Sequence, residues 1–99
     1  MRRGTTPSHT FTTDIDLSTA EVVYVTYKQG SKVILEKDND GIEITEDSIE
    51  VDLSQEETLS FKMGQPVRVQ IRARFPDGSA VASNIIQTTA DEILKEGEI

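Results

Sequence analysis

Residues 66–75, with the sequence PVRVQIRARF, decide the fold of this 99-residue chain. Apolar residues occupy every second position and alternate without a break with three arginines and a glutamine. A two-residue period places the two sets on opposite faces of a β-strand, whereas a helix would scatter the apolar residues around its circumference. The stretch therefore predicts a central strand with one exposed face and a buried face made of Val67, Val69, Ile71, Ala73 and Phe75.

The flanking sequence predicts further short strands separated by turns. The turn-forming sequence PDGS at 76–79 leads into a returning strand at 80–89, so the two strands form a hairpin. Ser54 and Glu57 have the spacing of a capping box and predict one helical turn near 54–60. The remaining predicted strands are 9–15 (with Phe11, Thr13 and Ile15 inward), 21–28, 32–37, 42–45 and 49–53.

Seven short strands with no long helix between them predict an all-β, antiparallel β-sandwich of immunoglobulin-like kind. A small barrel is the alternative. We expect a flexible N-terminal arm at 1–8, the sandwich at 9–89, and a C-terminal tail or short turn at 90–99.

Composition excludes several classes of function. The net charge of −8 argues against nucleic-acid binding, which requires a basic surface, and favours a basic partner. The absence of cysteine excludes a disulfide scaffold, a thiolate metal site and a cysteine nucleophile. The first ten residues are basic but are followed by no apolar run, so we expect neither a secretory signal nor a membrane span.

The chain contains no convincing catalytic or metal-binding constellation. The acidic residues from Glu36 to Asp47 partly match the spacing of a calcium loop, but strands are predicted on both sides, which favours a solvated hairpin loop. His9 is the only histidine, and no serine lies in a nucleophile elbow. The many carboxylates lie on polar faces and in loops, where nothing would raise their pKa for acid catalysis. We therefore expect no catalytic residue, no metal and no cofactor.

The three arginines on the exposed face of 66–75 form a basic stripe. Glu50 and Asp52 lie on the polar face of the predicted strand 49–53. We expect these carboxylates to pair with the arginines across neighbouring strands, in preference to a binding patch.

Val22 and Tyr24 are the predicted protein interface. The strand 21–28 is apolar on both faces, and its other face already supplies a buried set. An exposed apolar pair on a highly charged protein is typical of a protein contact. The alternative is that the N-terminal arm or the segment containing Ile93 and Leu94 covers the pair.

Five stretches together resemble short phage and prophage proteins of Firmicutes-type bacteria: RGTTPSHTFT, YVTYKQG, SQEETLSF, VQIRARFPDGSAVAS and EILKEGEI. Such proteins are similar to the N-terminal β-sandwich modules of phage baseplate upper proteins. The resemblance implies a non-enzymatic structural or assembly protein that is made in the host cytoplasm and can be incorporated in the virion. Its implied partners are other virion or baseplate proteins, or further copies in a homo-oligomer.

The alternative function is a small carbohydrate-binding module. The acidic loops would serve such a module, but carbohydrate sites present aromatic platforms. With no tryptophan and two tyrosines, the sequence disfavours this alternative.

Overall fold

The structure, a computed structural model, describes all residues from 1 to 99. It contains eight strands, one 3-10 turn and one short α-helix. In chain order these are β1 (Ser8–Thr12), β2 (Val22–Gln29), β3 (Lys32–Lys37), the 3-10 turn (Asn39–Gly41), β4 (Ile42–Ile44), β5 (Ser48–Asp52), α1 (Gln55–Leu59), β6 (Pro66–Arg74), β7 (Ala80–Ala82) and β8 (Ile86–Thr89).

The strands form two antiparallel sheets, which confirms the predicted β-sandwich. The smaller sheet has the order β1-β5-β4, and the larger has β3-β2-β6, with both β7 and β8 pairing with β6. If β1 is taken as strand B, the strands from β1 to β7 follow the order B, C, C′, D, E, F and G. The two sheets then match the immunoglobulin arrangement, except that no strand pairs with β1 in the place of strand A. Arg2 instead forms a parallel bridge with Asp91, beyond β8.

Alternating residues of β2 and β6 build the core between the sheets, as the sequence predicts. β5 and the residue after it contribute Ile49, Val51 and Leu53 from the facing sheet. Phe75, one residue beyond β6, is half-buried. The inward set of β2 and β6 is at most 5% exposed and consists of Val23, Val25, Tyr27, Val67, Val69, Ile71 and Ala73.

The prediction of one continuous strand at 80–89 is wrong, because a β-bulge divides this stretch into β7 and β8. Ala82 faces Arg72 and Ile86 faces Val69, so three residues of the returning chain oppose two of β6. At the bulge, Ser83 keeps the returning chain in contact with β6, because its Oγ accepts a hydrogen bond from the Ile71 amide at 3.0 Å. A bulge of this kind bends the strand and leaves the extra residue unpaired.

The first strand is shorter than predicted. β1 ends at Thr12, and Ile15, expected to point inward, is 47% exposed. Leu17 instead enters the core from the following turn, where its side chain is 4% exposed. Asp16 shapes this turn by accepting hydrogen bonds from the backbone and side chain of Ser18.

Helix α1 begins at the predicted capping box. The Ser54 Oγ accepts from the Glu57 amide at 3.1 Å, and a Glu57 carboxylate oxygen accepts from the Ser54 amide at 2.9 Å. Glu57 also pairs with the Lys37 ammonium at 2.7 Å, which ties the helix to β3. No helix in the structure is long and apolar enough to cross a membrane.

The first three residues pair with the end of the chain. The Met1 ammonium donates to the Thr89 carbonyl at 2.9 Å, and the Asp91 amide donates to the Met1 carbonyl at 2.7 Å. Arg3 Nε donates to the Phe61 carbonyl at 2.7 Å. Ala90, the first residue of the predicted tail, is fully buried, so the core extends beyond β8.

Candidate protein-binding face

The outer face of the larger sheet carries the predicted interface. Residues of β2 that do not point into the core emerge beside the arginines of β6, because Val22 faces Arg74 and Tyr24 faces Arg72. Tyr24 is 42% exposed, and Val22 is half-buried. We call this region the β2–β6 face; it consists of Val22, Tyr24, Thr26, Lys28, Arg68, Gln70, Arg72 and Arg74.

A shallow depression of about 410 Å³ lies on the β2–β6 face. Val22 and Tyr24 supply its apolar part together with Ala80 of β7, and Arg72 forms a charged side. Its other lining residues are Thr26, Glu36, Ala73 and Arg74. The depression therefore combines an aromatic ring, small apolar side chains and a guanidinium group.

The arginines of β6 do not pair with Glu50 and Asp52, so that prediction is wrong. β5, which carries both carboxylates, lies in the smaller sheet, on the opposite side of the core. Arg74 approaches the Glu21 carboxylate at 3.8 Å, and Arg68 donates to the Gly30 carbonyl at 3.0 Å. Arg72 forms no ion pair and no side-chain hydrogen bond, so its donors are free.

Neither chain end covers the depression. No residue of 1–8 or 90–99 lines it. Ile93 lies beside Gly4 and Leu59, where a Cβ atom added at Gly4 would be 3.0 Å from the Ile93 side chain. Leu94 is 95% exposed. The structure therefore leaves Val22 and Tyr24 uncovered within this chain.

The acidic residues between Glu36 and Asp47 have separate local roles. Glu36 accepts from the Thr26 hydroxyl at 3.3 Å, and Asp38 caps the 3-10 turn by accepting from the Asp40 amide at 3.1 Å. Asp47 accepts from the Thr45 hydroxyl at 3.1 Å. No three His, Cys, Asp or Glu side chains converge in a geometry that could hold a metal ion.

His9 lies between the two sheets, in a contact that the sequence did not reveal. Its Nδ1 is 2.8 Å from the Tyr27 hydroxyl, and the two rings stack with centroids 5.9 Å apart. Burial, aided by the N-terminal ammonium charge, lowers the pKa of His9. Burial and the nearby Glu57 carboxylate raise the pKa of Tyr27. The pair joins β1 to β2 and holds a neutral imidazole.

The carboxylates with displaced pKa values are not poised to donate protons. Hydrogen bonds from Ser18 lower the pKa of Asp16, and those from Ser79 lower the pKa of Asp77. Burial opposes ionisation of Glu57, but Lys37 and the Ser54 amide outweigh it and lower the pKa of Glu57. A general acid working near neutral pH needs the opposite shift.

Comparison with protein-family models, with curated proteins and with solved structures finds no match for this chain.

Proposed function

We propose that this chain is a non-enzymatic, phage-related structural or assembly protein that acts through protein–protein contacts. The observation that supports this proposal is the depression on the β2–β6 face, with Val22 and Tyr24 beside the free guanidinium of Arg72. Tyrosine and arginine are the residue types enriched in protein interfaces and among the side chains that dominate binding energy.

Each component of the depression has a distinct part in binding. Tyr24 offers a rigid ring with a polar end, which can be covered at low entropic cost. Val22 and Ala80 add apolar surface that a partner removes from water. Arg72 can form a bidentate pair with a carboxylate of the partner, which fixes the orientation of the contact.

The positions of the aromatic residues favour a protein partner over a carbohydrate. Tyr27 is fully buried in the core, so Tyr24 is the only exposed tyrosine. The chain has no tryptophan. A single ring beside an arginine is not the extended aromatic platform that carbohydrate sites present.

The proposed partners are other virion or baseplate proteins, or further copies of the chain. We place the protein in the host cytoplasm and, through these contacts, in the virion. These proposals rest on the sequence resemblance together with the exposed β2–β6 face.

Capture from phage-induced cells tests the function. The tagged protein should capture virion or baseplate proteins, and replacing both Val22 and Tyr24 with serine should abolish capture while leaving the fold intact. The control replaces Met63 and Leu94 with serine, since both are exposed apolar residues outside the depression. The control should capture the same proteins as the wild type.

Two results would contradict the proposal. Equal capture by both double variants would show that the depression is not the interface. Unfolding of the Val22 and Tyr24 variant, in a protein that is monomeric by light scattering, would show that the pair serves stability alone.

A further inference from the structure

We propose that the open side of the sandwich, between β1 and the β7–β8 bulge, binds an extended partner segment as an added β-strand. The segment has apolar residues at alternate positions and basic residues between them. This site is separate from the β2–β6 face, and the proposal does not depend on the function assigned to that face.

The outer edge of β1 has unpaired backbone groups. At the ends of its pairing with β5, the Leu53 amide donates to the Pro7 carbonyl at 3.0 Å and the Thr13 amide to the Asp47 carbonyl at 2.9 Å. Hydrogen-bonded positions recur at every second residue of an antiparallel pair, so His9 and Phe11 also bond to β5. The N–H and C=O groups of the alternate residues, Ser8, Thr10 and Thr12, therefore point away from β5.

β1 is the one edge strand that lacks a feature opposing strand addition. Its outward side chains are a serine and two threonines, with no charge, proline or bulge. β3 carries charged residues and a register shift in its pairing with β2, and β4 is three residues long with a central glutamate. β7 and β8 are three and four residues long. Charge, bulges and short length are the means by which edge strands avoid new partners.

A groove of about 410 Å³, lined by apolar residues together with Asp14 and other polar side chains, lies beside the Phe11–Thr12 end of this edge. Phe11 and Leu17 line it from the β1 side, and Val81 and Ile86 from the β7 and β8 side. Ile15 and Ile86 are 47% and 43% exposed at its rim. The groove occupies the side of the sandwich where no strand pairs with the outer edge of β1. A strand added to β1 would place alternate side chains over this groove, which explains why they should be apolar.

Charge on the smaller sheet selects the other side chains of the segment. The outer face of this sheet carries Glu43, Glu50 and Asp52 and no cation. Glu43 faces Glu50 directly, and like charges in that arrangement repel. The outward residues of an added strand would lie two strand spacings, about 10 Å, from β5. An arginine side chain and a carboxylate can close that separation, so basic residues fit these positions.

A synthetic peptide with the sequence VRVQIRAR, which repeats residues 67–74 of this chain, is the probe. Amide hydrogen exchange followed by NMR should show new protection at Ser8, Thr10 and Thr12. His9 and Phe11 are already bonded to β5, so their amides serve as internal controls. A peptide with the same pattern but glutamate in place of each arginine should give markedly less protection.

Two variants of Thr10 separate backbone pairing from side-chain contact. Thr10→Pro removes an outward-pointing N–H without removing a bond to β5, and should weaken peptide binding about tenfold or more. Thr10→Val keeps the N–H and should bind like the wild type. A charge variant, Glu50→Lys with Asp52→Lys, should reverse the preference between the two peptides and does not depend on the folding of Thr10→Pro.

Three results would overturn the proposal. The first is unchanged exchange at Ser8, Thr10 and Thr12 with the peptide in millimolar excess. The second is a set of chemical-shift changes confined to the β2–β6 face. The third is protection of these amides that rises with protein concentration in the absence of peptide, since a second copy would then occupy the edge.

Discussion

Single residues on the two faces of β6 differ sharply in their contribution to stability. Ile71 is 4% exposed in the core, whereas the neighbouring Arg72 is exposed on the β2–β6 face. We expect Ile71→Ala to lower the free energy of unfolding by about 2–5 kcal/mol, because it leaves a cavity. Arg72→Ala should lower it by less than about 1 kcal/mol. Urea denaturation measures both, and similar losses would mean that the faces are misassigned.

His9 should make stability depend on pH. Burial lowers its pKa in the folded protein below the ordinary value of about 6.5. As pH falls, the unfolded chain therefore binds the proton at a higher pH than the folded protein does. The stabilisation by neutral His9 is complete above about pH 6.5 and is lost as pH falls through the lower, folded pKa. The difference in unfolding free energy between the wild type and His9→Gln should therefore shrink between pH 7.5 and pH 5.

A matched variant isolates the cause of this dependence. Tyr27→Phe removes the hydroxyl but keeps the imidazole buried, so it should retain the pH dependence that His9→Gln loses. A difference between the wild type and His9→Gln that stays constant with pH would refute the explanation.

The sequence predicts the faces of β6 but not the partner of His9. A two-residue period records directly which side chains are buried, so Val67, Val69 and Ile71 could be assigned without a structure. The contact of His9 with Tyr27 joins residues of different sheets, and no local pattern encodes it. Leu17 was missed for the same reason, since it enters the core from a turn.

At the scale of elements, the capping box determines the start of α1. Ser54→Ala removes the hydroxyl that accepts from the Glu57 amide, and should cost about 1 kcal/mol of unfolding free energy. Ser31→Ala is the control, because Ser31 is exposed in a turn and its effect should stay within about 0.5 kcal/mol. Equal effects in thermal or urea denaturation would show that the cap contributes nothing.

Elements determined by their own sequence were predicted. Elements that depend on a contact with another strand were not. The spacing of Ser54 and Glu57 was enough to locate α1. The division of 80–89 depends on Ser83, which bonds to the backbone of Ile71 on another strand. Glu50 and Asp52 alternate correctly along β5, but alternation does not say which sheet a strand joins. The same distinction applies to the candidate site. The two-residue period of β2 places Val22 and Tyr24 on the exposed face, but it does not show that Arg72 has no hydrogen-bond or ion-pair partner.

The whole molecule is expected to be stable without a metal ion. The carboxylates between Glu36 and Asp47 are held in separate turns and strands, and only a ligand that binds the native state raises the melting temperature. Excess calcium or EDTA should therefore leave the melting temperature unchanged. A rise of several degrees with calcium, reversed by EDTA, would show that these residues converge on an ion.

Charge is distributed unevenly over the whole sandwich. The outer face of the larger sheet carries Lys28, Arg68, Arg72 and Arg74, and the outer face of the smaller sheet is acidic. The total of −8 therefore conceals a basic face. Acidic groups on a partner would be attracted to the β2–β6 face and basic groups to the smaller sheet, and salt should weaken both contacts.

The register of β1 with β5 also governs how the chain can fold while it is being synthesised. β1 ends at Thr12 and its partner begins at Ser48, so β1 remains unpaired until the ribosome has released β5. The hairpins β2–β3 and β4–β5 need no such delay, since their strands are close in sequence. Pairings this distant are typical of folding over milliseconds to seconds. Until β5 pairs with it, β1 has two free and uncharged edges. A neighbouring nascent chain can therefore compete with β5 for the same strand.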